Sequence, residues 1–411
     1  LLDHAVRNID QRLAGSPLSE AQVRETIGLA YAKLGEYWAA EAQLRRSLQL
    51  RQERLGEDDS ATLASVSQLG NIYTLQGDYV NAETFLENAL ATRIRVLGDD
   101  HPDTLESMAS LGQLHVYRAN YEEAYPLLTQ VQQIGKGMLG SEHPIVLNAM
   151  LGNVYLLTYS FQHERAYLLA SKGLEISRRS LGEEHEITLG FMKMFANCCR
   201  EKKLNDDAER LFTRALETSE RILGQKHPNT IDTMGRLGDL YRNEGRYKEA
   251  APLLKMAMEL GRHELGWGHV WTLLCAMRLT RSYEVQEQYD RMEETVIEAL
   301  KKGCPLQGNS QLSGWFRWKL HGHAANLTAT AMKQYDAGEF GTAVRIMTRQ
   351  AELRKLLPSE QVELLPADVA LHAMSLWQLD HYQEAITVLY RLRQMYDQNQ
   401  YPHEEQCLYE A

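Results

Sequence analysis

Apolar and small residues recur along this chain with helical spacing. An apolar residue followed by glycine or another small residue appears at Ile27-Gly28, Leu69-Gly70, Leu111-Gly112, Phe195-Ala196, Leu237-Gly238 and Leu279-Thr280. Four residues after the apolar position stands Tyr31, Tyr73, Tyr241 or Tyr283, and ten after it Tyr37, Tyr79, Tyr121, Tyr247 or Tyr289. Three further on come Ala40, Ala82, Ala124, Ala166, Ala208 and Ala250, with Met292 in the last unit. Spacings of three, four and seven put these residues on helix faces, and no alternating strand pattern competes with them. The small residues mark places where two helices approach closely, and the tyrosines and leucines fill the space between helix pairs. The expected fold class is all-α.

A second pattern fixes the size of the unit. The phrase Leu-Gly-x-x-His-Pro-x-Thr-Leu, with variation after Leu-Gly, begins at Leu55, Leu97, Leu139, Leu181, Leu223 and Leu265, always 42 residues apart. An unbroken long period implies a stack of similar supersecondary units, each burying its face against the next. The phrase reads as the loop between units. Gly98 is expected in the left-handed conformation that ends a helix, Pro102 suits the first turn of the next helix, and His101 is expected at its N-cap, where the first unit has Asp59. Ser60, Glu186 and Val270 replace the proline in three units.

This arrangement resembles the tetratricopeptide repeat, an apolar-Gly-x-x-Tyr helix, a Gly-x-Tyr turn and a second helix carrying two alanines. Leu69, Gly70, Tyr73, Gly77, Tyr79, Ala82 and Ala89 match it in full, as do Leu237, Gly238, Tyr241, Gly245, Tyr247, Ala250 and Ala257. That family's usual period is about 34 residues, and the extra length here is about two helical turns. The 42-residue form is similar to the repeat domain of kinesin light chains and to arrays in bacterial signalling proteins, often C-terminal to a Ser/Thr kinase domain. Residues 1–13 and 26–31 resemble the bacterial group more closely. The likeness is strong over residues 20–300 and weak over 324–396. It implies a right-handed superhelical solenoid of antiparallel helix pairs, with the first helix of each pair lining a concave, peptide-binding surface.

The expected organisation is a capping helix over 1–15, seven 42-residue units over 16–300, a loop and Trp-rich junction over 301–323, two degenerate helix pairs over 324–396, and a tail over 397–411. Trp315, Phe316 and Trp318 are expected to begin a helix in the junction. Gly338, Phe340 and Ala343 mark one later turn, and Tyr382 and Ala385 the other. The fourth unit departs from the pattern, because Asn153 and Val154 occupy the helix-packing positions and Leu151-Gly152 lies two residues early. Either its first helix is rotated locally, or Leu151 and Tyr155 face the groove. The chain has no starting Met and is expected to be a piece of a longer protein.

Charge narrows the partners. With 44 Lys and Arg against 55 Asp and Glu, a net charge of −11, generic nucleic-acid binding is not expected. No stretch approaches the length of a membrane span. The five cysteines, 198, 199, 275, 304 and 407, form no C-x-x-C pair and read as reduced thiols in a cytoplasmic setting. Of the adjacent pair Cys198-Cys199, one is expected in the core. The loop histidines, His101, His143, His185, His227 and His269, stand one repeat apart and read as caps, not ligands. His403 to Cys407 likewise lacks ligand spacing. Motifs for nucleotide, zinc-protease or serine-hydrolase chemistry are missing, so no catalysis, metal or cofactor is expected.

The family resemblance places the groove at positions two before, and two and five after, the apolar residue of each apolar-small pair. The candidate peptide-binding residues are Asn71, Gln113, Val116, Leu151, Tyr155, Lys193, Asn197, Arg200, Asp239, Arg242, Arg278 and Arg281. The front half is neutral and polar, and the middle offers Val116, Leu151 and Tyr155. The back half gathers Lys193, Arg200, Arg242 and Arg281, with Arg236 and Arg278 one position aside. A cationic wall in an acidic chain suits a carboxylate-bearing segment. The alternative is a solvated face whose charges Asp239 and Glu284 balance. The expected function is a non-catalytic scaffold binding an acidic peptide with an apolar anchor. The other reading is the regulatory or substrate-docking array of a bacterial Ser/Thr protein kinase or other signalling enzyme, fused to an upstream kinase domain.

Overall fold

The structure, a computed structural model, describes residues 15–286 and 288–303 continuously, Leu2, His4, Val6, Ile9 and Leu13 before them, and 327, 331–354, 366–379, 381 and 383–388 after them. Trp315, Phe316, Trp318, Tyr382, Cys304, Cys407, His403 and the tail 397–411 lie outside the described residues. The described chain is all-α, with no strand among the described residues. It divides into two compact units, Leu1–Ser282 and Tyr283–Ala411.

In the first unit the helices alternate in two kinds. The first helices of the pairs are α1 (Pro17–Lys33), α3 (Ser60–Gln76), α5 (Pro102–Tyr117), α7 (Pro144–Tyr159), α9 (Glu186–Glu201), α11 (Pro228–Asn243) and α13 (Val270–Val285). The second helices are α2 (Tyr37–Leu55), α4 (Tyr79–Leu97), α6 (Tyr121–Met138), α8 (His163–Leu181), α10 (Asn205–Leu223) and α12 (Tyr247–Glu264). Successive helices pack on each other from α1 to α12, and α3, α5, α7 and α9 also touch one another in turn. The first helices therefore stand side by side on one face, and the array is a solenoid. In the second unit α14 (Tyr289–Gly303) is followed by α15 (Phe340–Arg354) and α16 (Pro366–Gln378). There Ala331, Met347 and Leu371 form a small core.

Close approach within a pair depends on glycine. A Cβ on Gly28, Gly70, Gly112 or Gly238 would stand 2.7–2.9 Å from Leu44, Leu86, Leu128 or Leu254 of the second helix. Those leucines, with Ala40, Ala82, Ala124 and Ala250, are fully buried. The fourth unit keeps the helical register of its neighbours: α7 starts at Pro144 as α5 does at Pro102. Val154 takes the glycine position with no exposure, and Leu151 packs on Gly190 of α9, where a Cβ would be 2.5 Å away. The helix is not rotated.

The recurring phrase makes the loops between pairs. His101, His143, His185, His227 and His269 each accept, through Nδ1, the backbone N–H two residues on, at 3.1–3.3 Å. Asp59 does the same for Ala61 at 2.9 Å. The threonine of the phrase closes the loop from inside: Thr104 and Thr230 donate to the carbonyls of Gly98 and Gly224 at 2.7 and 2.8 Å. Gly98 differs from expectation. Its φ is +90° but its ψ is 166°, an extended conformation essentially open to glycine alone. The chain must leave the helix and turn outward within one residue, which the left-handed helical conformation would not achieve.

Candidate functional site: the face of the first helices

All twelve candidate groove residues lie on first helices, but their surroundings differ. Val116, Leu151 and Tyr155 are buried members of the main core. Asn71 and Gln113 are half-buried, and Gln113 lies against Gly152 of the next unit. Asn197 is buried beside Met194, with Nδ2 3.7 Å from its sulfur. Arg281 is half-buried and has an interaction of its own.

The other five, Lys193, Arg200, Asp239, Arg242 and Arg278, join Asp232 and Arg236 in two adjoining charge clusters. Asp239 accepts from Arg200 Nη1 at 2.7 Å and from Arg242 Nε and Nη2 at 2.9 and 2.8 Å. Arg200 also reaches Glu201 at 2.7 Å. Two turns away on α11, Asp232 accepts from Arg236 Nε at 2.8 Å and from Lys193 Nζ at 3.3 Å. Arg278 Nη1 lies 3.8 Å from its other oxygen. Burial works to raise the Asp232 carboxyl, but the charges of Arg236, Lys193 and Arg278 outweigh it and hold the group at about 2. Burial lowers the Lys193 ammonium, and Asp232 only partly offsets it. The cations here are thus neither a free wall nor a solvated face. They are five side chains gathered around two aspartates, with Lys193, Arg236 and Arg278 buried and Arg200 and Arg242 partly exposed.

Asp232 was absent from the groove positions chosen by resemblance. Its signal was present: Asp232, Arg236 and Asp239 are spaced four and seven along α11, which puts them on one helix face. Lys193, Arg200, Asp239 and Arg242 stand at the positions the family pattern gives, whereas Arg236 and Arg278 stand one position beyond Gly235 and Met277.

The array also curves back on itself. Tyr117 keeps 37% of its surface open, yet protein surrounds it closely enough that burial pushes its hydroxyl up, with Tyr155, Tyr79 and Asp232 adding to the effect. Its open surface therefore faces the inside of the curve, toward a residue three pairs further along. At the rim, His269 Nε2 hydrogen-bonds the Leu75 carbonyl at 2.8 Å and its ring stacks on Tyr37 at 6.4 Å. One repeat earlier, His227 hydrogen-bonds the backbone of Lys33. Beside it, Pro228 sits so close to Gly35 that a Cβ there would stand 2.6 Å from its Cδ. Burial lowers both histidines to about 4, Lys193 adding to the effect at His227. Two loop histidines thus cap a helix with one nitrogen and hold the opposite rim with the other.

Other polar clusters of the first unit take part in helix packing. Glu83, His115 and Glu123 bring potential ligand atoms within 4.8 Å of one another. They occupy the place of a clasp seen elsewhere, in which Tyr73 donates to Glu41 and Tyr241 to Glu209, each at 3.0 Å. In this unit Glu83 is engaged by Arg118, and His115 Nδ1 is 3.1 Å from Glu123. Cys198 and Cys199 are both buried, and burial pushes both thiols up to about 11. The expectation that one of them is core is thus exceeded: the close stacking of α9 buries both. A cavity of about 470 Å³ lies away from the charge clusters, between α2, α3 and α4, lined by Arg45, Leu48, Gln52, Phe85 and Arg95 among others. No helix among the described residues is long and apolar enough to cross a membrane.

Comparison with known proteins follows from this geometry. Sequence profiles described as tetratricopeptide repeat match residues 21–61, and 59–137 with 191–263. No curated protein sequence matches the chain. Among solved structures, the nearly identical TPR-like repeats of a Podosopora anserina kinesin light chain are similar at 23% identity, over 50% of this chain and 98% of that one, with a TM-score of 0.39. BtubC (BKLC) from P. vanneervenii is similar at 15% identity, over 54% and 90% of the two chains, with a TM-score of 0.43. A Rap protein complexed with competence and sporulation factor is similar at 14% identity, over 84% and 99%, with a TM-score of 0.47. Residues 21–137 and 191–263 are tetratricopeptide repeats, and the 42-residue period carries the same helix pairs across the stretch between them.

Proposed function

We propose that the chain is a non-catalytic protein-interaction scaffold whose concave face holds a peptide segment, acidic and with an apolar anchor. The observation that carries this reading is the charge imbalance of that face. Lys193, Arg200, Arg236, Arg242 and Arg278 gather around Asp232 and Asp239, with Glu201 beside Arg200, in a chain whose net charge is −11. Such an island attracts carboxylates while the surrounding surface repels them, which favours a specific acidic segment over acidic chains at large. The apolar anchor falls to the tyrosines. Leu151 is already spent on Gly190, whereas Tyr155 and Tyr159 stack at 6.3 Å beside the charged face, and Tyr117 adds open aromatic surface there.

A display library of random peptides, panned on the chain at low and moderate salt, tests the reading. Selected sequences should be rich in Asp and Glu around one aromatic or aliphatic residue, and should release as salt rises. The control is Arg200→Gln with Arg242→Gln. Neutral replacement is preferable to charge reversal, which would set like charges against the buried Asp239. Affinity should fall about tenfold or more in the double variant. A library that returns no acidic preference, or peptides that bind the variant equally well, would sink the proposal.

A further inference from the structure

We propose that Lys193, Arg236 and Arg278, arranged around Asp232, form a binding site for a protonated phosphoryl group, either inorganic phosphate or a phosphate monoester. The inference rests on the reading of this face as a site for acidic ligands and specifies what the deepest part of it takes.

Three observations carry it. The first is charge. Three cations from three helices, α9, α11 and α13, are 6%, 5% and 9% exposed, and the carboxylate at their centre, Asp232, is fully buried; Arg278 also acts on Asp239 further along α11. Neither arginine can shed its proton to relieve the imbalance, and an uncompensated buried charge is strongly disfavoured. The cluster therefore favours a counter-anion. The second is the state of the polar atoms. Arg236 spends Nε on Asp232, while Arg278 Nη1 and Asp232 Oδ1 are both buried without a hydrogen bond, facing each other at 3.8 Å. One unused donor and one unused acceptor stand together, so the fitting ligand must both accept and donate. A phosphoryl group that keeps one proton does so: its oxygens accept from the guanidinium groups, and its P–OH donates to Asp232 Oδ1. A fully ionised sulfate has no proton to give and would meet the carboxylate as a like charge. A peptide carboxylate carries one charge and no donor.

The third observation concerns access. Gly235 on α11 faces Arg278, and a Cβ there would stand 2.7 Å from Nη1. The missing side chain leaves room for the guanidinium, with Nη1 3.8 Å from Asp232 Oδ1. Arg278 must swing aside on its flexible stem to admit the ligand and then return as a donor.

Calorimetric titration of the chain with inorganic phosphate and with sulfate, at pH 7 and matched ionic strength, tests the site. Phosphate should bind about tenfold or more tighter than sulfate, and Arg278→Met should weaken phosphate by a similar factor. The same variant should melt higher than the parent in phosphate-free buffer, because it removes an uncompensated buried charge. Lys193→Met, checked for helicity by circular dichroism, provides a second variant with the same expectation for binding. Equal affinity for the two anions, no heat with phosphate, or unchanged binding in both variants would overturn the proposal. A pool of phosphoserine peptides binding tighter than inorganic phosphate assigns the group to a protein partner, and adenosine monophosphate binding tighter assigns it to a small molecule; both support the site. Acidic peptides selected by the library without phosphate binding overturn this site and leave the scaffold reading standing. Phosphate binding without peptide selection does the reverse.

Discussion

His269 donates from Nε2 to the carbonyl of Leu75 at 2.8 Å, across 194 residues of chain. The tautomer follows from the other side of the ring, where Nδ1 accepts the Trp271 N–H at 3.2 Å. His227 makes the same pair of contacts one repeat earlier, to Asn229 at 3.1 Å and to the backbone of Lys33. Lys33 and Leu75 are themselves one period apart, so the two bonds are one contact repeated by the superhelix. Each needs a neutral imidazole, since a proton on Nδ1 would face a backbone N–H and break the cap.

That requirement gives a pH dependence with a definite sign. The folded-state values of about 4 for His227 and His269 lie below the ordinary 6.5. Between these limits the unfolded chain binds more protons, so stability is present in full above pH 6.5 and is lost as pH falls toward 4. The groups around the two rings are Lys193 near His227, and Tyr37, itself near Glu186, beside His269. Asp232, at about 2, loses its contribution only at lower pH. Urea unfolding from pH 7.5 to 4.5 should show a fall of a few kcal/mol. His227→Asn with His269→Asn, which keeps a good N-cap side chain, should flatten the curve. A double variant as pH-dependent as the parent would place the effect elsewhere.

Closure of the rim predicts unequal costs at two equivalent glycines. Gly35 and Gly77 have φ of +80° and +82°, so alanine at either should cost about 1–2 kcal/mol from backbone strain. A Cβ at Gly77 meets open space, but at Gly35 it meets Pro228. Gly35→Ala should therefore lose about 1–3 kcal/mol more, read from denaturant midpoints. Equal losses would mean that the rim contact does not form in solution.

A size exchange in the core yields a third test. Gly173 on α8 stands where other second helices carry Ala89, Ala215 or Ala257, and Phe191 on α9 stands where other first helices carry Ser65 or Ser107. A Cβ on Gly173 would lie 2.1 Å from Phe191 Cε1, and the ring is fully buried. Gly173→Ala should cost about 1–3 kcal/mol and Phe191→Ala about 3–5 kcal/mol. Their combination should cost less than the two together, because the methyl enters the space the ring vacates. Additive losses in a double-mutant cycle would refute the pairing.

Much of this was legible in the sequence because the period repeats it. The helices, the turn positions and the histidine caps each depend on residues within a few places of one another, and six copies of one phrase average out the exceptions. The groove was legible only in part. The candidate positions all fall on first helices, but Asp232, the buried centre of the deeper cluster, lies outside them, and Leu151 packs on Gly190 of the next pair. Asp232, the ion-pair partner of Lys193 and Arg278, lies 39 and 46 residues from them in sequence, and no local rule pairs them.

The sequence by itself determined the unit: its length, its two helices, the glycine exits with positive φ, and the stacking of one pair on the next. These are short-range matters of backbone freedom, capping and helical periodicity. The tertiary structure alone decided what the stack does with its inner face. Small rotations between pairs accumulate until α1 and α2 meet the loops before α11 and α13. Only that curvature brings His269 to Leu75 and Tyr117 toward Asp232, whereas the five cations meet their two carboxylates through the stacking of neighbouring first helices. Curvature is a sum over every interface in the stack, so no single repeat carries it.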